Sequence, residues 1–454
     1  MMRGSRGLSF LVLAAVAACA MAAPRASAEE SGGAVADSSS TAPRPITLRE
    51  AVGLAQRGSP SAVQARGQER TAAAGNRSAV AAFLPDVTLS AGATRQYGAG
   101  TRVEDGKEVT LASKPWSYSG SLGASVQLFD GGARYFELRR ARAAASAAGA
   151  GTISQLYAVA LEVKQRYFDV LAARESEVAA RAQLAQAELQ RRTAVARVMA
   201  RAATRSDSLR SEIQLRDAQL AVLEAGLALE SSNAGLGRAV GVAYPVTAAP
   251  DDPAASPTLA VDGQELRKLA EVGPAVRQAK AELDAARASR RGAWTDYLPS
   301  VSASYSRGAS GSGYALGLDA ADGYDYSGSL RLSLSLPLFN QLQREAQVVR
   351  AQVAEANAEA ALRDARLAAL ESLTTALGAY RTAGQRIEAQ AASVEAAEED
   401  LRVQQQRYAV GSSTMLDVLT SQTTLDQARQ QLIRARYDQR VAKARLEALV
   451  GRDL

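Results

Sequence analysis

Between residues 86 and 129, and again between 300 and 339, apolar residues alternate with serine, glycine and threonine at a spacing of two. From Trp116 onward the set Trp116, Tyr118, Leu122, Ala124, Val126 and Leu128 is interleaved with Ser117, Ser119, Ser121, Ser125 and Gln127. A second segment places Tyr324, Tyr326, Leu330, Leu332, Leu334, Leu336 and Leu338 against Asp325, Ser327, Ser329, Arg331, Ser333 and Ser335. Val87, Leu89, Ala91 and Ala93 follow the same rule, as do Val301, Ala303 and Tyr305. Period two predicts strands with one apolar and one polar face, two in each half of the chain. Elsewhere the spacing is helical. Two long helices are predicted from about Gly132 to Met199 and from Gln341 to Arg407, each roughly 100 Å at 1.5 Å per residue. Shorter helices are predicted over 205–241, 263–297 and 414–450, with a broken one over 47–83. Leu373, Tyr380, Ile387, Val394, Leu401 and Tyr408 stand seven apart, as do Val418, Leu425 and Leu432. That seam predicts helices wound on one another.

The chain also repeats itself. Phe83-Leu84-Pro85-Asp86-Val87-Thr88 faces Tyr297-Leu298-Pro299-Ser300-Val301-Ser302, and Leu128-Phe129-Asp130 faces Leu338-Phe339-Asn340. Asp207, Leu209 and Ser211 face Asp417, Leu419 and Ser421, and Val240-Gly241 faces Val450-Gly451. Offsets stay between 210 and 214, so the halves (46–241 and 263–451) are expected to be two structural repeats. Residues 242–262, carrying Pro245, Pro250, Pro253 and Pro257, are the expected joint.

Two environments produce alternating strands. One is a half-buried soluble sheet. The other is a transmembrane β-barrel with an apolar outside, a polar lumen and aromatic girdles. Most aromatics beyond the first 28 residues fall in 83–136 and 294–339, which favours the barrel. Tyr97, Trp116, Tyr118, Tyr305, Tyr324 and Tyr326 are expected at one interface, and Phe83, Phe129, Tyr297 and Phe339 at the other. Four strands cannot close a barrel, and open edges are not tolerated in lipid. The strands therefore require an oligomer.

Composition narrows the chemistry. There is no histidine and one cysteine, Cys19, so imidazole-based nucleophilic sites and the common zinc centres are not expected. No enzyme, metal or cofactor is expected. The formal charge of +6 is dispersed along helices of mixed sign, unlike the clustered face that nucleic-acid binding needs. Residues 1–28 hold Arg3 and Arg6, an apolar run from Leu8 to Ala18, and Ala26-Ser27-Ala28. That order predicts an export signal, with 29–45 a flexible leader. Val16-Ala17-Ala18-Cys19 offers a competing lipidation site at Cys19.

The duplicated order, and the run Arg407-Tyr408-Ala409-Val410-Gly411-Ser412-Ser413-Thr414-Met415-Leu416-Asp417-Val418-Leu419, resemble the outer membrane efflux protein family, which is TolC-like. The resemblance covers about 46–451 and implies an α+β membrane protein. That protein is a homotrimer with a 12-stranded β-barrel, four strands per chain, continued by a long coiled-coil α-helical barrel. It implies location in the outer membrane with helices reaching into the periplasm. Implied partners are outer membrane lipid, a periplasmic adaptor (membrane fusion) protein and an inner-membrane pump or ATPase. Implied function is a passive exit duct of a tripartite efflux system, and a type I protein secretion channel would look the same. A periplasmic helical-hairpin adaptor is the rival of a different class, and it would lack the paired strands.

The resemblance also implies a periplasmic gate at the hairpin turns, with Asp207, Tyr408, Gly411 and Asp417 as its residues. Asp207 and Asp417 are expected to form a cation-attracting constriction, with Tyr408 as a hydrogen-bond partner across the hairpins. The alternative is that both aspartates cap the helices after the turns. Ser413 stands where some relatives place an arginine, Thr420 where a second acid can occur, and the first turn lacks a glycine. Arg201 or Arg205 could then supply a cation.

Overall fold

The computed structural model describes residues 43–95, 101–104, 106–110, 116–250, 262–313 and 324–454. Cys19 and Tyr97 lie outside the described residues. Pro45–Leu454 forms one compact unit.

The first repeat runs through α1 (Leu48–Gly58), α2 (Pro60–Ala81), β2 (Asp86–Thr94), β5 (Trp116–Phe129), α3 (Ala133–Met199) and α4 (Arg205–Val240). The second follows as α5 (Gly263–Ala270), α6 (Pro274–Gly292), β7 (Ser300–Gly313), β8 (Tyr324–Ser335), α7 (Gln343–Ala409) and α8 (Met415–Val450). Two features go beyond the sequence expectation. A small hairpin, β3 (Thr101–Glu104) with β4 (Lys107–Thr110), sits between β2 and β5. The proline-rich joint contains β6 (Val246–Ala248), which pairs with β1 (Arg44–Ile46). Val246, Ala248 and Ile46 are buried in the core formed by α1, α3 and α4.

Both long helices contain 67 residues, as predicted. Neither contains a proline, so no backbone hydrogen bond is lost along either. The helix expected over 263–297 is instead broken, like its counterpart in the first repeat. Pro274 begins α6 after Gly273, and Pro60 begins α2 after Ser59. Proline fits the first helical turn and restricts the residue before it, so each breaks the chain at the same place. A Cβ at Gly273 would lie 2.7 Å from the Leu449 carbonyl oxygen, so α8 closes against that break.

The four long strands form one antiparallel sheet in the order β2-β5-β7-β8. Register puts Leu89 beside Leu122, Ala124 beside Tyr305, and Tyr305 beside Leu330. The alternating apolar residues of the paired segments therefore share one face as far as Val126, after which the register slips and Phe129, not Leu128, pairs with Val301. Arg307 interrupts that face between Leu122 and Gly328. Serines line the other face, with Ser90 and Ser121 hydroxyls 2.7 Å apart and Ser306 and Ser329 2.9 Å apart. On its helix-side part the apolar face is uncovered: Leu330, Leu332 and Leu334 are 73%, 68% and 72% exposed. Strand β8 stops at Ser335, so Leu336, Leu338 and Phe339 lie beyond the sheet instead of extending it. Pro337 has no N–H to give to a ladder.

Most of the predicted heptad seam of α7 packs on α8, with Ile387 outside the clusters. Leu373 and Tyr380 meet Leu446, while Leu401 and Tyr408 meet Val418 and Leu425 on α8. The two hairpins are joined by α3–α8 bonds. Lys164 pairs with Glu447 at 2.5 Å, Tyr437 donates to Glu175 at 2.6 Å, and Ser176 donates to Gln430 at 3.0 Å.

Candidate functional site at the hairpin turns

Each long helix reverses through a five-residue turn. In the second, Gly411 has φ +79°, and its neighbours bond back onto α7: Gly411 N–H to the Tyr408 carbonyl (3.1 Å) and Ser412 N–H to the Arg407 carbonyl (2.9 Å). These bonds satisfy the carbonyls that a helix end leaves unpaired. The first turn repeats the geometry bond for bond. Arg201 N–H donates to Val198 (3.0 Å) and Ala202 N–H to Arg197 (2.8 Å). Arg201 takes the left-handed position, at φ +56°. The missing glycine therefore does not change the turn. It places an L side chain where such a conformation costs about 1 kcal/mol.

Asp207 and Asp417 occupy the same position, the third residue of the helix leaving each turn. Each closes a capping box. Thr204 donates N–H and hydroxyl to Asp207 Oδ2 (3.0 and 2.9 Å) and accepts the Asp207 N–H at 3.3 Å. Thr414 does likewise with Asp417, at 2.8, 2.8 and 3.3 Å. Ser413 adds a third hydrogen bond to Asp417 Oδ2 at 2.9 Å. The Thr414 backbone and side-chain bonds, then Ser413, hold the Asp417 carboxyl below its ordinary 3.8. Ser413 is thus a second ligand of the capping carboxylate.

Tyr408 does not make the expected hydrogen bond. Its buried hydroxyl has no partner among the described residues. Burial, then the Asp207 charge, raises its pKa above 10.0, while Arg197 opposes the shift. Arg197 is the residue the sequence did not single out. Its guanidinium sits 4.4 Å from the centre of the Tyr408 ring. It also donates to the Tyr408 carbonyl at 2.8 Å and to the Ala409 carbonyl at 3.4 Å. One side chain on α3 therefore closes the end of α7 and stacks on its last aromatic. Among the described residues neither Arg201 nor Arg205 forms such a bridge. Nothing local marks Arg197, because its repeat mate Arg407 turns back on its own turn to reach Ser412.

Of the expected girdle, Tyr305 and Tyr326 are exposed on the apolar face, and Phe129 is exposed at the helix-side end. Trp116 and Tyr324 are half-buried. Phe339 lies past β8 and is 76% exposed, while Tyr118, flanked in register by Ala93 and Gly311, is buried. Among the described residues no cluster of acids or sulfur ligands could hold a metal, and no helix is long and apolar enough to cross a membrane.

A duplicated pair of strands joined to long helical hairpins, with the two turns clamped together at their tips, defines the class of fold. The chain belongs to the outer membrane efflux protein family, whose model matches residues 51–242 and 266–452, and it is a protein of the outer membrane. It is 31% identical over 350 residues to Protein CyaE of Bordetella pertussis, across 74% of this chain and 70% of that one. It is 29% identical over 178 residues to Outer membrane protein TolC of Salmonella enteritidis, covering 38% of this chain and 36% of TolC. That match therefore spans about a third of TolC. A membrane protein from Pseudomonas aeruginosa shares the fold at TM-score 0.74, with 22% identity over 89% of this chain and 93% of the other. The outer membrane protein VceC of Vibrio cholerae does so at 0.71, with 19% identity over 89% and 96%.

Proposed function

We propose that three copies of the chain close into a passive exit duct of a tripartite efflux system. The uncovered apolar face of the four-stranded sheet carries this reading. Such a face has no place in water, and the edges β2 and β8 have no place in lipid unless paired. Pairing β8 of one copy with β2 of the next satisfies both. The serine face then lines an aqueous lumen, and the helices continue the passage across the periplasm. A periplasmic adaptor protein and an inner-membrane pump supply coupling and energy. The chain carries out no covalent chemistry.

The hairpin turns form the inner mouth in its closed state. Arg197 acts as the clamp between hairpins, and Gly411 with Arg201 sets the turns. The carboxylates of Asp207 and Asp417, fixed by their capping boxes, present negative charge at the constriction. Planar-bilayer recording tests this directly. The wild type should give small cation-selective openings, and Asp417→Ala should reduce the selectivity. Unchanged conductance and selectivity would reject the constriction, and absence of any channel would reject the duct.

A further inference from the structure

Beneath the sheet, α3 and α6 lie side by side and enclose a cleft of about 480 Å³. Four arginines line it, Arg139 and Arg142 from α3 and Arg287 and Arg291 from α6, with Asp284 the one acid. Arg287 is engaged by Glu359 at 3.1 Å and by Glu355 at 3.6 Å. Arg139, Arg142 and Arg291 form no ion pair among the described residues. Three like charges sharing one cleft repel each other, and an anion entering it relieves that repulsion. Guanidinium groups favour oxyanions that accept two parallel hydrogen bonds, phosphate above all.

The placement bears on where such a phosphate would come from. Helix α3 leads away from β5 and α6 leads toward β7, so the arginines sit within about 14 Å of the sheet-facing helix ends. On α3, Tyr135, Arg139 and Arg142 follow helical spacing along one face, with the Arg139 guanidinium 5.4 Å from the Tyr135 ring. On α6 and its continuation, Trp294, Arg291 and Arg287 repeat the order in the opposite chain direction. On both helices the aromatic is nearer the sheet and the arginines are farther from it. Tyr135 is 51% and Trp294 53% exposed, as aromatics of a membrane interface are. Strands β5 and β7 are the inner pair of the sheet, so pairing at its edges leaves the cleft open.

We propose that this cleft binds the phosphate of an anionic phospholipid headgroup from the periplasmic leaflet of the outer membrane. The inference rests on the duct reading for its membrane position. Basic pockets between helices at a membrane surface hold anionic headgroups in this way. Tyr135 and Trp294 would sit at the level of the acyl–headgroup boundary, with the arginines reaching up from below.

Nanodiscs holding equal amounts of phosphatidylglycerol and phosphatidylcholine, followed by native mass spectrometry of the released trimer, give the test. Wild type should retain phosphatidylglycerol in preference to phosphatidylcholine. Arg139→Gln/Arg142→Gln/Arg291→Gln should lose that preference by roughly tenfold or more. A control removing the same charge far from the sheet, Arg192→Gln/Arg363→Gln/Arg366→Gln, should keep it. Preference intact in the cleft variant, or lost equally in the control, would overturn the proposal. So would displacement of the lipid by excess inorganic phosphate, which would make the cleft a site for the free ion. If the triple variant fails to assemble, Arg142→Gln against Arg142→Lys decides, since lysine keeps the charge and should lose only part of the preference, glutamine more, and equal preference in both and in wild type overturns the proposal. Channel recording on the same samples separates the two readings: conductance without lipid preference rejects the cleft alone.

Discussion

The two repeats reach the same backbone with different residues. At the junction between strand and long helix, the first repeat turns through Gly131 and Gly132 at φ +66° and +91°. The second makes the equivalent turn through Gln341 and Leu342, at φ +59° and +62°. At the hairpin tips the choice is reversed, with Arg201 in the first and Gly411 in the second. Helix ends at Gly241 and Gly451 keep glycine in both. Turn geometry is therefore retained across the duplication, and residue identity sets how much strain each copy carries. Crowding makes glycine necessary at one copy of a turn and not at another. A Cβ at Gly131 would sit 2.7 Å from Leu298 Cβ and 2.8 Å from the Thr295 carbonyl oxygen, whereas one at Gly411 would meet nothing within 4 Å.

Gly131→Ala should therefore be the most damaging glycine replacement, costing about 3 kcal/mol from strain and overlap together, measured by chemical denaturation. Arg197→Ala removes the hydrogen-bonded bridge between the tips, losing about 2 kcal/mol of hairpin coupling. It should raise the open probability in single-channel recording, while Arg407→Ala should leave it unchanged. If both variants behave alike, the asymmetry between tips is not functional. Gly411→Ala and Arg201→Gly should shift stability in opposite directions by about 1 kcal/mol each, readable as hydrogen-exchange protection at the two tips. Thr414→Ala should cost about 1 kcal/mol, a typical loss for a helix cap.

The pH response is the smallest effect expected. The Asp417 pKa is depressed in the folded chain, so its contribution is full above its ordinary 3.8 and is lost as pH falls through the lower folded value. Exchange protection at the second tip should decline in that acid range, and Asp417→Asn should abolish the decline.

Much of this was legible in the sequence because it is periodic. Period-two, helical and period-seven spacing and the offset between halves marked the strands, both long helices and the duplication. The tips were read as sites because the second turn carries a local motif. The Arg197 clamp was not legible, since it joins residues 211 positions apart and its repeat mate behaves differently. The break before Pro274 was missed although Gly273-Pro274 is the same kind of local stop signal as Ser59-Pro60 in the first repeat. Strand β8 was read too long because the apolar period continues through Pro337, where backbone pairing cannot. The arginine cleft was invisible for the same reason as the clamp: each helix alone shows only a charged face.

Closure of the sheet by neighbouring copies is the claim on which the duct depends, and edge cross-linking tests it most directly. Cysteine pairs, one on β2 at Thr88 or Ser90 and one on β8 at Ser329, Arg331 or Ser333, should oxidise between copies in the outer membrane. The products should form a ladder ending at the trimer. Cross-links confined to one chain, or a polypeptide that stays monomeric and dissolves without detergent, would contradict the account.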